Sequence, residues 1–292
     1  MRKRTQAREC ALQMLYQIDL TGGKLEEVFR EIKPKNVVHF AAETHVDRSI
    51  QAAVPFIETN VMGTQNLIEL CRKYKTGRFL HISTDEVYGE SQRGRFLEDV
   101  SLLKPNNPYS ATKGAAEFLV RAAMRTHKLP GIIIRPSNNY GPWQYPEKFI
   151  PVIILKAMNN QNIPVYGRGE QIREWLHVSD CARAIYLILN QGLVGEVYNI
   201  GSNYECRNIE TAKYILRLLG KPESLIQFIK DRPGHDFRYS VSWLKMRKLG
   251  WKPETTFTQG MRDTVQWYSC HRGWLEKKLQ FLQAYWKKVY SL

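Results

Sequence analysis

The sequence predicts an α/β protein in which a parallel sheet, covered by helices on both faces, is joined to a smaller and less regular lobe. Between residues 37 and 134, short apolar runs without polar alternation take turns with longer segments of helical period. That is the pattern of strands buried on both faces and connected by helical crossovers. After about residue 140 the rhythm breaks at Pro142, Pro146, Pro151 and Pro164. The 292 residues suffice for one large α/β unit or two modest ones.

In chain order, residues 5–19 place Ala7, Ala11, Met14, Leu15 and Ile18 at helical spacing, and Thr21-Gly22-Gly23 ends that helix. A second helix, Leu25 to Ile32, stops before Pro34. Val37 to Ala42 is a run of strand length. Phe56 to Tyr74 reads as a helix with Ile57, Val61, Leu67, Leu70 and Cys71 on its apolar side. Phe79 to Ile82 is a strand, Tyr109 to Arg125 a long helix, and Gly131 to Ile134 a strand. The smaller lobe is expected to hold a helix over 179–190, a strand over 196–200 and a helix over 208–219. A helical tail over 257–290 is rich in Trp, Tyr and Lys.

Composition narrows the function. Hydrophobic residues make up 43% and charged residues 24%, a balance that can bury a core in water. No apolar run approaches the roughly 20 residues of a membrane span. Met1-Arg2-Lys3-Arg4 leads into no apolar signal core. The five cysteines form no Cys-x-x-Cys pair, which argues against a zinc site or disulfide framework and suits the cytoplasm. A formal charge of +15 favours anionic partners, a nucleotide diphosphate or nucleic acid, and alone cannot choose between them.

The chemistry gathers at two places. Tyr109 and Lys113 lie four residues apart, on one helix face. A phenol titrates near ~10; a neighbouring ammonium is expected to favour the phenolate and bring it toward working range. Such a pair alone often just coats a helix surface. Upstream, Ser83-Thr84-Asp85-Glu86-Val87-Tyr88-Gly89 follows a buried strand. Ligands of open α/β sheets bind at the carboxyl ends of strands. A hydroxyl and two carboxylates there suit positioning plus paired acid and base work, although Asp85 and Glu86 would also serve as plain turn caps.

From about Leu25 to Tyr268 these residues make the chain resemble the extended short-chain dehydrogenase/reductases, with their Rossmann-like sheet, and within them the dTDP-glucose 4,6-dehydratase family. The stretches that carry the resemblance are His39-Phe40-Ala41-Ala42-Glu43-Thr44-His45-Val46-Asp47-Arg48-Ser49, the Thr-Asp-Glu segment, the Tyr/Lys helix and Arg135-Pro136-Ser137-Asn138-Asn139-Tyr140-Gly141-Pro142. Three more are Gln171-Ile172-Arg173-Glu174-Trp175, Tyr198-Asn199-Ile200-Gly201 and Asp231-Arg232-Pro233-Gly234-His235-Asp236. The resemblance implies an NAD-dependent lyase that dehydrates dTDP-glucose to a 4-keto-6-deoxy sugar. It implies that Tyr109 takes the C4 hydroxyl proton, Glu86 removes the C5 proton and Asp85 protonates the departing C6 hydroxyl. Thr84 would bond the C4 oxygen and Lys113 the nicotinamide ribose. Ala41, Ala42, Thr59 and Asn139, with Tyr109 and Lys113, would face NAD. Thr44, Asn138, Lys148, Arg173, Asn208, Arg232 and His235 would grip the sugar nucleotide, Arg173 as a diphosphate clamp. No metal is implied, and a homodimer through the helices at 56–74 and 109–125 is. A UDP- or CDP-sugar dehydratase or epimerase, and a non-catalytic sugar-nucleotide- or RNA-binding chimera, are the rival readings.

The pattern departs from the family at its start. A Gly-x-x-Gly-x-x-Gly turn normally approaches the cofactor pyrophosphate, yet before Val37 the close glycines are Gly22-Gly23, with no strand ahead of them. Residues 2–20 instead resemble the first helix of the NusB family of transcription antitermination factors, whose basic amino-terminal region binds RNA. The expected organisation is a foreign helix over 1–23, an N-terminally truncated NAD-binding unit over 24–140 and a substrate lobe with carboxyl-terminal helices over 141–292, with strand exchange between the lobes. Weak NAD binding, impaired turnover and no specific nucleic-acid binding are expected.

Overall fold

The computed structural model describes residues 25–278 and residue 282. The expected helix over residues 5–19, the 1–23 boundary and most of the tail beyond 278 lie outside the described residues.

The first described element is α1 (Leu25–Ile32), which buries Val28 and Phe29 and ends before Pro34. Strands β1 (Asn36–His39), β2 (Arg78–Ile82), β3 (Gly131–Pro136) and β7 (Val197–Ile200) form one parallel sheet in the order β1-β2-β3-β7. Their side chains divide between two cores. Phe79, Ile133 and Val197 meet Phe29, Ile68, Cys71, Val120 and Ala123 of the helices on one face. Leu80, Ile82, Ile132, Ile134 and Ile200 meet Ala184, Ile185 and Ile188 on the other. The unalternating apolar runs are therefore explained: both faces of each strand are covered. The chain belongs to the α/β class, with the Rossmann-like parallel sheet expected of it.

Helices α3 (Gly63–Lys73) and α4 (Pro108–His127) flank the sheet on the face that also carries α1, and the short α2 (Val46–Gln51) packs against the start of α4 through Val46 and Tyr109. One expectation is corrected here. The single helix over 56–74 is instead a short helical stretch, Val54–Phe56, a π-helical turn over Ile57–Met62, and α3. The wide turn alters the helix phase, so Ile57 is 47% exposed while the unforeseen Ile68 is buried. The turn also buries Asn60, whose side chain bonds both the N–H and the C=O of Glu43. Such π turns concentrate at functional sites.

Beyond β3 the chain weaves between layers. Short β4 (Asn138–Tyr140) pairs with β6 (Ile172–His177), and β6 with β8 (Glu205–Arg207). Strand β5 (Ile163–Tyr166) pairs with β9 (Ile226–Ile229). These strands, absent from the sequence reading, build the second lobe with α5 (Phe149–Met158), α7 (Asn208–Leu219) and α9 (Phe257–Cys270) around Ile153, Trp175, Ile215 and Met261. By contrast α6 (Val178–Gln191) and β7, read as parts of the smaller lobe, pack into the large sheet's layer. Helix α8 (Leu244–Lys248) joins the same core through Met246.

A buried polar network ties the layers together. Glu174 accepts from the N–H groups of Ser202, Asn203 and Val241 at 2.8, 2.7 and 3.1 Å. A Cβ on the adjacent Gly201 would come within 2.5 Å of that carboxylate, which explains the glycine after Ile200.

Candidate active site

The site begins where β2 ends. Thr84 leaves the strand in extended conformation and caps a single 3-10 turn over Asp85–Tyr88, its hydroxyl accepting from the Glu86 N–H at 3.3 Å. Gly89 closes the turn at φ 78°, packed so that any Cβ would sit 2.1 Å from the Lys104 carbonyl oxygen. Helix α4 starts beside it with a capping box between Asn107 and Ser110 and with Pro108 in its first turn. Its first-turn Tyr109 N–H donates to Ser49 Oγ at 3.1 Å, fixing the phenol's helix against α2.

The five expected catalytic residues share this corner. Tyr109, Thr84, Asp85 and Lys113 are each less than 9% exposed, and the Thr84 and Tyr109 hydroxyls are hydrogen-bonded. Glu86 opens onto a cavity of about 170 Å³. Thr44, Asn138, Lys148, Arg173, Asn208, Arg232 and His235, all seven expected substrate residues, line that cavity, as does Asn139. The structure thus gathers residues that lie far apart in sequence, from Thr44 to His235. Ala41, Ala42 and Thr59 do not line it: Ala41 and Ala42 follow β1, and Thr59 lies exposed on the π turn.

The electrostatics separate the two carboxyls. Burial, then the neighbouring Glu86 and Glu174 charges, push Asp85 well above the ordinary carboxylate range. Its Oδ2 has no protein partner. Burial also raises Glu86, but Arg232, Arg173 and Lys148 oppose that rise. One carboxylic acid and one more readily ionised carboxylate side by side are what an elimination requires.

The Tyr109/Lys113 expectation is corrected. Burial and the Glu86 charge push the Tyr109 phenol upward, with only the Thr84 hydrogen bond opposing. Lys113 instead donates its Nζ to the Ile82 carbonyl at 2.6 Å, at the last residue of β2. Burial lowers Lys113 to about 8, partly opposed by Glu117. The helical spacing correctly put both residues on one face but could not reveal that the ammonium had a backbone acceptor.

Arg173 is also less free than its chemistry suggested. Its Nη1 donates to the carbonyls of Ile172 and Phe237 and its Nη2 to that of Asp236. Its Cζ lies 4.5 Å from the centroid of the Tyr239 ring. Arg232, by contrast, has a buried Nε with no protein partner. Lys148 donates to the Thr44 carbonyl at 2.7 Å, and His235 pairs with Asp231 at 2.6 Å.

Sequence reasoning missed several lining residues. Tyr239 OH sits 3.4 Å from Glu86 Oε2 and also donates to Asp236. Tyr166 donates to Asp47 at 3.1 Å. Asp47 lay within a quoted motif, so proximity to Thr44 was a usable signal; Tyr166 and Tyr239 carried none.

Polar atoms without partners mark space for a further ligand beside the catalytic corner. Ser83 Oγ just beyond β2, Ser137 Oγ just beyond β3 and Asn139 Oδ1 in β4 are buried and unsatisfied. Buried polar groups are normally bonded, and this set fits a flat polar group such as a nicotinamide. No cluster able to hold a metal ion occurs among the described residues.

Comparison with known proteins agrees with this arrangement. The family described as GDP-mannose 4,6 dehydratase matches residues 2–264, a span that includes the stretch read above as a foreign helix. The dTDP-glucose 4,6-dehydratase of Streptomyces niveus is 50% identical over 241 residues, 82% of this chain and 71% of that protein. That of Neisseria meningitidis serogroup B is 46% identical over 286 residues, 90% of this chain and 81% of its own. The crystal structure of the Streptomyces venezuelae dTDP-glucose 4,6-dehydratase, with NAD and TYD bound, superposes with a TM-score of 0.84 at 42% identity, covering 87% of this chain and 79% of that one. The Thermus thermophilus UDP-glucose 4-epimerase in complex with NAD gives a TM-score of 0.80 at 30% identity, covering 84% and 81%. On this evidence the chain belongs to the dTDP-glucose 4,6-dehydratase family of the extended short-chain dehydrogenase/reductases.

Proposed function

We propose that this chain is an NAD-dependent lyase that converts dTDP-glucose to dTDP-4-keto-6-deoxyglucose. One observation carries the reading: the split Asp85/Glu86 pair and Tyr109 stand at the end of β2, beside a cavity lined by every expected sugar-nucleotide residue. NAD, when bound, supplies the acceptor that takes a hydride from the sugar and returns it. Tyr109, Lys113 and Asn139, with Ala41, Ala42 and Thr59 beyond the cavity, would hold it.

The chain's own groups do the proton work. Thr84 orients the C4 oxygen, and Tyr109, in the phenolate form that the positive charge of bound NAD would favour, takes its proton. Oxidation at C4 acidifies C5, and Glu86 removes that proton. Asp85, kept protonated by burial, gives its proton to the C6 hydroxyl, which leaves as water. Arg232, Lys148 and Arg173 supply positive charge for the diphosphate, and Asn138, Thr44, Asn208 and His235 complete the cavity wall. Incubation with dTDP-glucose and NAD should release one water per sugar by mass spectrometry and give the 4-keto-6-deoxy product. Absence of product together with no binding of dTDP would refute the reading. The family description names GDP-mannose, two relatives are dTDP-glucose 4,6-dehydratases and one solved neighbour is a UDP-glucose 4-epimerase, so GDP-mannose, UDP-glucose and CDP-glucose belong in the same panel.

Three finer readings join this proposal. Val54, Ile57, Met62 and Phe118 expose apolar surface along the 54–73 and α4 helices, which supports a homodimer through those helices, testable by sedimentation. A cytoplasmic location is the second reading, supported by the free cysteines, Cys71 and Cys181 among them; among the described residues no helix is long and apolar enough to cross a membrane. The NusB-like sequence of residues 2–20, with no Gly-x-x-Gly-x-x-Gly before Val37, is the ground for reading weakened NAD binding by the 292-residue polypeptide. Each charge-assisted bond to a pyrophosphate contributes ~1.5–3 kcal/mol, so calorimetry should find an affinity lower by orders of magnitude than in relatives bearing the turn. An equal affinity would refute that part alone.

A further inference from the structure

Beside Glu86, two acidic groups line the sugar-nucleotide cavity without a part in the acid-base chemistry or the expected ligand contacts: Glu147, which pairs with Arg48, and the more deeply buried Asp47. Asp47, in the second position of α2, is 7% exposed and lines the cavity. Its Oδ1 accepts from Arg232 Nη1 at 2.9 Å and its Oδ2 from Tyr166 OH at 3.1 Å. His45 Nδ1 lies 3.9 Å from Oδ2. Arg232 Cζ is 5.7 Å from the centroid of the Tyr166 ring, so ring and carboxylate hold the guanidinium from two sides. Burial alone would raise the Asp47 carboxyl, but Arg232, with His45 and Tyr166, holds it below the ordinary range.

A carboxylate among groups meant to receive an anion looks counterproductive, because it repels a diphosphate. The geometry of Arg232 resolves this. A guanidinium presents donors along fixed edges of one plane. Asp47 occupies Nη1, and the Nε, on the opposite edge, remains buried without a partner in the cavity wall. A guanidinium free to rotate would have to give up side-chain freedom on binding; one already pinned loses less.

We infer that Asp47 is a positioning residue that pins Arg232 so that its Nε edge faces the diphosphate of the nucleotide. The inference rests on the reading of this cavity as a sugar-nucleotide site and names a residue that sets how well that site selects the diphosphate. Tyr166 and His45 support Asp47 from the second lobe and from its own loop. The net effect favours binding because a pinned donor facing the anion outweighs a repulsive charge already neutralised by its own ion pair.

The test compares ligands that share the base but differ in phosphate. In competition titrations on the full chain, Asp47→Asn should weaken dTDP by about tenfold, equivalent to ~1.4 kcal/mol, while thymidine binds unchanged. Asp47→Glu, which keeps the charge, should recover part of the loss. Tyr166→Phe should give a smaller loss in the same sense without removing any charge, and it guards against misfolding of the Asp47 variants. Unchanged dTDP affinity in Asp47→Asn, or equal loss of dTDP and thymidine, would overturn the inference. If the wild-type chain binds no dTDP, the reading of the cavity falls and the inference falls with it.

Discussion

Neutralising Glu117 should unfold this protein at markedly milder conditions and disturb the active site at the same time. Glu117 lies on α4, one turn beyond Lys113, and is wholly buried. Its two oxygens receive Arg135 Nε at 2.9 Å and Nη2 at 2.5 Å. Arg135, itself 1% exposed, donates its Nη1 to Tyr88 OH at 2.6 Å, and Tyr88 donates onward to Asn199. Burial opposes the charge on Arg135, but Glu117 more than offsets it. Removing one partner of such a pair leaves the other buried and uncompensated, at about 3–5 kcal/mol. Glu117→Gln keeps the volume, so cavity formation adds nothing. Urea titration should show a loss of that size, and a thermal scan a fall of at least ~6 °C at about 2–4 °C per kcal/mol. Arg135→Met/Glu117→Leu should recover most of it, since an apolar pair of similar volume needs no desolvation. Glu117 is also the charge that holds Lys113 up against burial. The variant's Lys113 should therefore titrate below about 8, which would appear as a downward shift of the basic features of the pH–rate profile. A loss under ~1 kcal/mol, or a double variant as unstable as the two single changes combined, would refute this account of the network.

Other expectations follow from the same geometry. Asp85→Asn should abolish dehydration yet stabilise the fold near neutral pH. The folded-state carboxyl is raised, so its contribution is fully present below the unfolded value and is lost as pH rises through the folded one. The stability gain over wild type in urea should therefore shrink toward acid pH; a gain that persists unchanged at low pH would contradict the assignment. Tyr109→Phe should lower kcat by about 10²–10⁴ with dTDP affinity retained, measured by steady-state kinetics beside calorimetry. Gly89→Ala should cost at least ~1–3 kcal/mol, because a Cβ would collide with the Lys104 carbonyl at a positive φ; a melt like wild type would show that the turn can relax.

Much of this was legible in the chain itself. The parallel sheet could be read from apolar runs such as Phe79 to Ile82, because burial on both faces removes alternation. The Thr84-Asp85-Glu86 segment and the Tyr109/Lys113 pair could be read because each is local, set by one strand end or one helical turn. Spacing could not foresee the π turn at Ile57–Met62, whose wider winding alters the phase on which the helix reading depended. It likewise missed β4 and β8, each three residues long and too short to show a period.

What tertiary structure alone decided were the partners. Asp47 meets Arg232 from 185 residues away, and Glu86 meets Tyr239 from 153. Lys113 turned to a backbone carbonyl, and Asp85 became an acid because folding removed it from water. Residue identity determines which protons can move. Which of them do move is settled by burial and by the charges that a fold brings within reach, and neither is a property of neighbours in sequence.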